Sequence, residues 1–304
     1  MKISNINNQK YIVYKGTGGL FHNLGGLSTA ISIAKKTNRI LIIDMFIHMP
    51  SYANDKIKFE DFFIIDDNTF EHYNNYDILP KDIMCGNWCL DEIIKIGHNK
   101  MNGSHYLYND YNLSVINHND QIVIFSSYGS TINHNIVVNP RVCNKLKEEE
   151  IISDKYISVH FRGTDRWRGD INQFIDCARN IIHKTGIKIL YIATDDNLAF
   201  DIFQKTITDV QIIRKTHPDN SVRGGIHYSN ADKHKQMYEC LKDIHYILQS
   251  EYFIPSTHSA YGRGIINMIV NKKPIFPNLI SNTEIIYVEG RTLKNKWSFD
   301  TRGK

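Results

Sequence analysis

The sequence predicts an α/β protein made of two doubly wound units, one in each half of the chain. Three observations carry this. Near the start, two apolar strand candidates flank a glycine-rich turn and a helical stretch, the pattern of a strand–helix–strand unit. From about residue 154 onward, strand and helix patterns alternate regularly, which calls for a parallel sheet covered by helices. The 304 residues, 42% of them hydrophobic, are enough for one large or two moderate cores. The predicted division puts residues 1–150 in an N-terminal Rossmann-like unit and 151–304 in a C-terminal one. They join near residues 128–152 and face each other across a cleft.

Taken in order, Tyr11–Lys15 reads as a strand, followed by a glycine-rich loop over residues 16–26. A helix is predicted over Leu27–Lys36, with Leu27, Ile31 and Ala34 on one face, and a buried strand over Arg39–Met45. Phe21 stands where a third glycine of G-x-G-x-x-G would be, and the P-loop lysine is missing, so neither phosphate-binding fingerprint is met. The loop then reads either as a tight turn or as a glycine-lined wall that a ligand can approach. Residues 46–119 show few clear periods and predict a loop-rich region, with one helical turn at Asp91–Ile96. Gln121–Ser126 is a strand and Arg141–Glu150 a short helix.

The second half is more regular. Strands are predicted at Tyr156–His160, Ile187–Ala193, Val210–Arg214 and Glu251–Ser256, and final ones at Lys273–Phe276 and Glu284–Val288. Helices are predicted at Gln173–Lys184, Leu198–Thr206, Lys233–Leu248 and Ala260–Val270. The third of these carries Met237, Leu241, Ile244 and Leu248 at amphipathic spacing. Residues 294–304 read as a loose tail.

Three strand ends carry polar clusters: His160–Asp165, Thr194–Asp196 and Thr257–Ser259. In a parallel sheet the carboxyl ends of strands share one edge, so these distant residues converge on one pocket. The first cluster continues through Arg166, Trp167, Arg168 and Asp170. Arginine keeps its proton and grips phosphate in a two-pronged geometry, so the convergence points to an anionic, phosphorylated ligand.

Composition excludes other classes. A balance of 36 basic against 32 acidic residues is too mild for a nucleic-acid face. Five scattered cysteines make no disulfide framework, and Cys85 and Cys89 lack the second pair a zinc site needs. There is no H-E-x-x-H and no Asp-x-Asp, and no metal is expected. No apolar leader or run of about 18 apolar residues is visible, so a cytoplasmic location with no membrane span is expected.

VHFRGTD (159–165), YIATDD (191–196) and DIHYILQSEYFIPSTHSAYGR (243–263), in this order and spacing, resemble the three motifs of the fucosyltransferase superfamily that uses GDP-fucose, and most of all its α1,6/nodulation-type branch. Residues 18–44 are similar to that branch's N-terminal glycine loop and helix. The resemblance implies a GT-B-like architecture of two Rossmann-like lobes. It also implies inverting transfer of fucose from GDP-fucose to a glycan hydroxyl, with no metal. By the same resemblance Arg162 would hold the β-phosphate and stabilise the leaving group, and Ser259 would reach the phosphate beside a helix N-terminus. Asp243 would read guanine with help from His160. Asp195 and Asp196 match the paired aspartates of the second motif, where helix capping explains at least one of them. Asp165 would pair with Arg162 or Arg166, and Arg166 keeps the charge of a branch lysine. Asp170 stands where the branch has a glutamate proposed to take the acceptor's proton. Gly18, Gly19, His22 and Asn23 would line the donor from the glycine loop. Gly163 replaces a branch arginine, and Ala260–Gly262 depart from the third motif. These departures keep two rivals in view: a catalytically silent GDP-sugar or glycan binder, and a transferase for another GDP-sugar.

Overall fold

A computed structural model of the chain describes residues 10–16, 19–44, 58–73, 100–101, 104–108, 122–126, 132–149, 151–163, 170–217, 232–273 and 275–288. In chain order the strands are β1 (Tyr11–Lys15), β2 (Ile40–Asp44), β3 (Phe63–Ile65), β4 (His72–Tyr73), β5 (Lys100–Met101), β6 (Ser104–Tyr108), β7 (Ile122–Ser126), β8 (Ile136–Val138), β9 (Ile157–Phe161), β10 (Ile189–Thr194), β11 (Gln211–Ile213), β12 (Tyr252–Pro255) and β13 (Glu284–Ile285). The helices are α1 (Leu20–Thr37), α2 (Phe59–Phe62), α3 (Pro140–Glu148), α4 (Ile171–Thr185), α5 (Asn197–Thr206), α6 (Lys233–Gln249) and α7 (Ala260–Val270).

Two parallel sheets organise these elements. The first has the order β4-β2-β1-β7-β6-β5, with only β5 antiparallel to its neighbour. The second has the order β11-β10-β9-β12-β13, parallel throughout. Counted from β9 this is the doubly wound order 3-2-1-4-5, with its switch point between β9 and β12. A strand pair, β3 with β8, stands apart as an antiparallel ladder.

Burial on both faces explains the unbroken apolar runs of the central strands. Every residue of β9 is buried, as parallel strands between helix layers require. One face of the second sheet, with α4 and α5, encloses a core that includes Val159, Phe174, Ile182 and Phe203. The other face, under α6 and α7, shares one apolar cluster with β1 and α1, from Ile12 and Leu24 through Tyr191 and Ile244 to Ile265.

Several sequence-based bounds need correction. α1 begins at Leu20, seven residues before the predicted Leu27, so Gly25 and Gly26 lie inside a helix and are buried there. Leu20, Leu24, Leu27, Ile31 and Ala34 give that longer helix one apolar face, and their burial outweighs the roughly 1 kcal/mol that each interior glycine costs. The helix stops at Asn38, in the left-handed conformation at φ 50°. The described residues of Lys273–Phe276 form no strand. Pro274 has no N–H to give a ladder, and the Ile275 carbonyl instead accepts from the backbone N–H of Val138 at 2.6 Å. In the region expected to be mostly loop, β6 runs parallel to β7, and the unforeseen β8 precedes α3, the helix predicted at Arg141–Glu150. The helical turn expected at Asp91–Ile96 and the tail at 294–304 lie outside the described residues.

Candidate functional site

The carboxyl ends of β9, β10, β11 and β12 come together at the switch point, where the polar clusters were expected to meet. Arg162 follows β9, and its Nη1 pairs with Asp195 Oδ2 at 2.8 Å at the end of β10. The other carboxylate oxygen, Asp195 Oδ1, accepts from the backbone N–H of Gly163 at 2.8 Å. One aspartate therefore fixes both the backbone and the guanidinium of the strand-end turn. The pair is largely buried, with side-chain exposures of 18% and 6%. A third tie comes from just past β12, where Ser256 Oγ accepts from the Arg162 backbone N–H at 3.1 Å. Gly163 is required here, because a Cβ would stand 2.4 Å from Asp196 Cβ. An arginine at this position, as in the resembled branch, could not share this packing with Asp196.

Asp196 caps α5, accepting from the N–H groups of Leu198 and Ala199. The two adjacent aspartates thus divide their work, one on the arginine and one on the helix. Ser259 caps α7, its Oγ accepting from the Tyr261 N–H at 3.2 Å. Asp170 caps α4, accepting from the Asn172 N–H at 3.0 Å, and is exposed.

Behind the arginine lies a cavity of about 70 Å³, lined by His160, Arg162, Asp195 and Tyr261 and by residues of α6 and the stretch after β11. Asp243 stands in its wall. Its Oδ1 accepts from the Tyr191 hydroxyl at 2.6 Å and the Thr216 hydroxyl at 3.1 Å, with Oδ2 3.2 Å from the same Thr216 oxygen. Burial pushes the Asp243 carboxyl up to about 7, against the lowering effect of those two hydroxyls and of Arg214. His160 is buried and its Nδ1 has no hydrogen-bond partner. Burial, with Arg162 adding to it, lowers its imidazole to about 4 against the pull of Asp195, so near neutral pH the ring is uncharged. Its ring lies 5.1 Å from that of Tyr261.

On the first sheet's side, Gly19 is the N-terminal cap of α1, and a Cβ there would meet nothing within 4 Å. His22 is half-buried in the first turn of α1. Asn23 is 1% exposed, and its carbonyl accepts from the Tyr14 hydroxyl at 2.7 Å, so it secures the helix start from beneath.

The second half thus brings Arg162, His160, Asp195 and Asp243 to one cavity, with Ser259 and Asp196 as caps beside it and Asp170 as the cap of α4. Gly18, Asp165 and Arg166 lie outside the described residues. Asp195 is one partner of Arg162, and the expected pairing of Asp165 with Arg162 or Arg166 falls outside the described residues. Thr216, Gln236, Glu239, Cys240 and Tyr261 also line the cavity and were not foreseen. A signal existed for three of them. Gln236, Glu239 and Cys240 precede Asp243 by seven, four and three residues, which is one helix face. Among the described residues, no cluster of three or more His, Cys, Asp or Glu side chains could hold a metal ion, and no helix is long and apolar enough to cross a membrane.

The fold defines a class: a mixed α/β protein with parallel sheets, similar to solved fucosyltransferase structures of GT-B type. In particular, the chain is similar to POFUT1 in complex with GDP, with a TM-score of 0.60 and 10% identity over 93% of this chain and 99% of that one. It is similar to the NodZ α-1,6-fucosyltransferase soaked with GDP-fucose, with a TM-score of 0.52 and 14% identity over 85% of this chain and 92% of that one. NodZ from Bradyrhizobium gives a TM-score of 0.50 and 15% identity over 86% of this chain and 92% of that one. At these identities the likeness is one of fold. No family model matches the sequence, and no curated protein sequence matches it.

Proposed function

We propose that the chain is an inverting, metal-independent glycosyltransferase that moves fucose from GDP-fucose to a hydroxyl of a glycan acceptor. The observation that carries this is the buried Arg162–Asp195 pair, which holds a guanidinium at the switch point of the second sheet, beside the cavity that contains Asp243. The fold similarity to proteins solved with GDP and GDP-fucose supports it.

In this reading residues 151–304 bind the donor and residues 1–150 lie on the acceptor side. The cavity takes the donor-edge of guanine, and the diphosphate lies outside it, over Arg162 and the N-terminus of α7. The acceptor oxygen attacks the anomeric carbon from the face opposite the diphosphate. The bond from that carbon to the β-phosphate oxygen breaks, and its electron pair stays on that oxygen. Arg162 and the α7 N-terminus meet the growing charge. The acceptor's proton passes to Asp170.

The exposed helix-cap position of Asp170 favours a second reading, a silent relative that binds the donor and transfers nothing. One thermal-shift experiment with GDP, GDP-fucose and UDP tests the donor assignment. At 100 times its Kd a ligand adds about 2.7 kcal/mol of stability, a rise of several degrees. A response to UDP without one to GDP would overturn the donor assignment. GDP-fucose turnover against a glycan panel then separates transferase from binder.

A further inference from the structure

The α6 face that carries Asp243 carries a second carboxylate into the same cavity. Glu239 lies one helical turn earlier, and residues four apart on a helix have Cβ atoms about 5–6 Å from each other. Its side chain is only 16% exposed. The backbone N–H of His217 donates to it, and Lys235 approaches it at 3.9 Å. The carboxylate is therefore held in place at the wall of the cavity. Burial raises its carboxyl above the ordinary glutamate value, with Lys235 and His217 acting against that.

Counting acceptors shows what this second group can do. The donor edge of guanine offers three hydrogens, one on N1 and two on the exocyclic N2. An ionised carboxylate has about four acceptor positions, two on each oxygen. Asp243 Oδ1 already takes two hydroxyls, from Tyr191 and Thr216, and Oδ2 shares the Thr216 proton. With Oδ1 filled, Asp243 cannot take N1–H and N2–H on its two oxygens side by side. Any guanine hydrogen left over must find another acceptor on the cavity wall, where Asp195 is already engaged by Arg162 and the Gly163 N–H. Glu239 is a carboxylate one helical turn from Asp243 on that wall.

Resting on the donor reading above, we propose that Glu239 is a specificity-determining residue that reads the exocyclic amino group of guanine, while Asp243 takes the ring N1–H. The site then distinguishes guanosine diphosphate from inosine diphosphate, which is the same molecule without that amino group. It also rejects xanthosine diphosphate, whose carbonyl at the same position would face a carboxylate.

The test is calorimetric titration of the full chain with GDP, IDP and XDP. The wild-type chain should bind GDP at least tenfold more tightly than IDP, the difference of one hydrogen bond to a charged acceptor, and XDP more weakly still. Glu239→Ala should bind GDP and IDP within about twofold of each other. Glu239→Gln, which keeps one acceptor oxygen, should retain part of the preference and lose its discrimination against XDP. Unliganded melting temperatures of the variants show whether each is folded, and the wild-type series stands without them. A wild-type chain that binds GDP and IDP equally overturns the inference, and so does a folded Glu239→Ala chain that keeps the full preference. In both cases the donor reading survives. A wild-type chain that binds no guanosine diphosphate overturns the donor reading and the inference with it.

Discussion

The ring of Phe21 rests on the bare backbone of Gly264: a Cβ added to that glycine would stand 2.2 Å from two ring carbons. Through this contact α1 of the first sheet meets α7 of the second. The contact reaches the site in two steps. Phe21 meets Tyr261 edge-on, with ring centroids 5.6 Å apart, and Tyr261 packs on His160. The Tyr261 hydroxyl donates to the Cys240 carbonyl at 2.6 Å, which fixes the ring between α6 and β9. Gly264→Ala should therefore destabilise the fold by about 1–3 kcal/mol, the cost of overpacking, even though alanine is the better helix former. Shrinking the ring should relieve the clash, so Phe21→Ala with Gly264→Ala should cost less than the two changes summed. Urea unfolding of the four chains measures this. Strict additivity would mean that the two residues do not touch.

Arg162 and Asp195 give the second prediction. Removing one member of a buried pair strands the other charge, at a cost of about 3–5 kcal/mol. Arg162→Ala should therefore melt at a lower temperature as well as bind GDP more weakly. Arg162→Lys separates the two effects. The lysine keeps the charge beside Asp195 but not the fork that serves a carboxylate and a phosphate together. Most of the stability should return, while GDP affinity stays about tenfold or more below that of the parent. Calorimetric titration beside a melting curve reads both. Wild-type affinity in Arg162→Lys would remove the two-pronged phosphate contact from the proposal.

How far the sequence anticipated this site follows from the kind of signal each part leaves. β1, α7 and strands β9 to β12 of the second sheet lie within two residues of their predicted bounds, because buried parallel strands and amphipathic helices write their burial into local periodicity. The convergence of Arg162 and Asp195 followed from topology, since strand ends of a parallel sheet share an edge, whereas Asp243, on α6, was named only through the resemblance. The start of α1 was missed because Gly25 and Gly26 look like loop until their close packing is seen. β6, with its histidine and two tyrosines, hides among polar neighbours and exists through its pairing with β7. The engagement of Asp243 by Tyr191 and Thr216 joins residues 52 and 27 positions away, and no local pattern encodes such a bond.

Asp243 makes stability depend on pH. Its folded value is near 7, against an ordinary value of 3.8. Between these two values the native state keeps a proton that the unfolded chain has released. The stabilisation is complete below about pH 4 and is lost as pH rises through 7. Asp243→Asn removes this titration. From pH 5 to pH 8 the unfolding free energy from urea titration should fall further in the parent than in Asp243→Asn, by up to about 3 kcal/mol for the two units between pH 5 and the folded value. Ligand binding carries the opposite sign. Guanine N–H groups favour the ionised carboxylate, so GDP affinity should rise as pH passes 7 and binding should release a proton. Proton uptake on binding would contradict the placement of guanine at Asp243.

Asp170 admits an experiment that separates its two roles. As the cap of α4 it accepts the Asn172 N–H at 3.0 Å. Asparagine caps a helix as well as aspartate does, whereas alanine costs about 0.5–2 kcal/mol. Asparagine cannot take a proton, so it removes a general base and leaves the cap intact. Asp170→Asn should therefore melt with the parent and bind GDP with the same affinity. If Asp170 is the base, turnover of GDP-fucose with a glycan acceptor should fall about 100- to 10,000-fold. Asp170→Ala should lose turnover and stability together. Full activity in Asp170→Asn would reduce Asp170 to a helix cap, and the proton would then have to leave by another group or by water. The departure from the resembled glutamate sharpens the point. An aspartate is one methylene shorter, so it can cap its own helix while its reach to an acceptor hydroxyl depends on how closely the acceptor approaches α4.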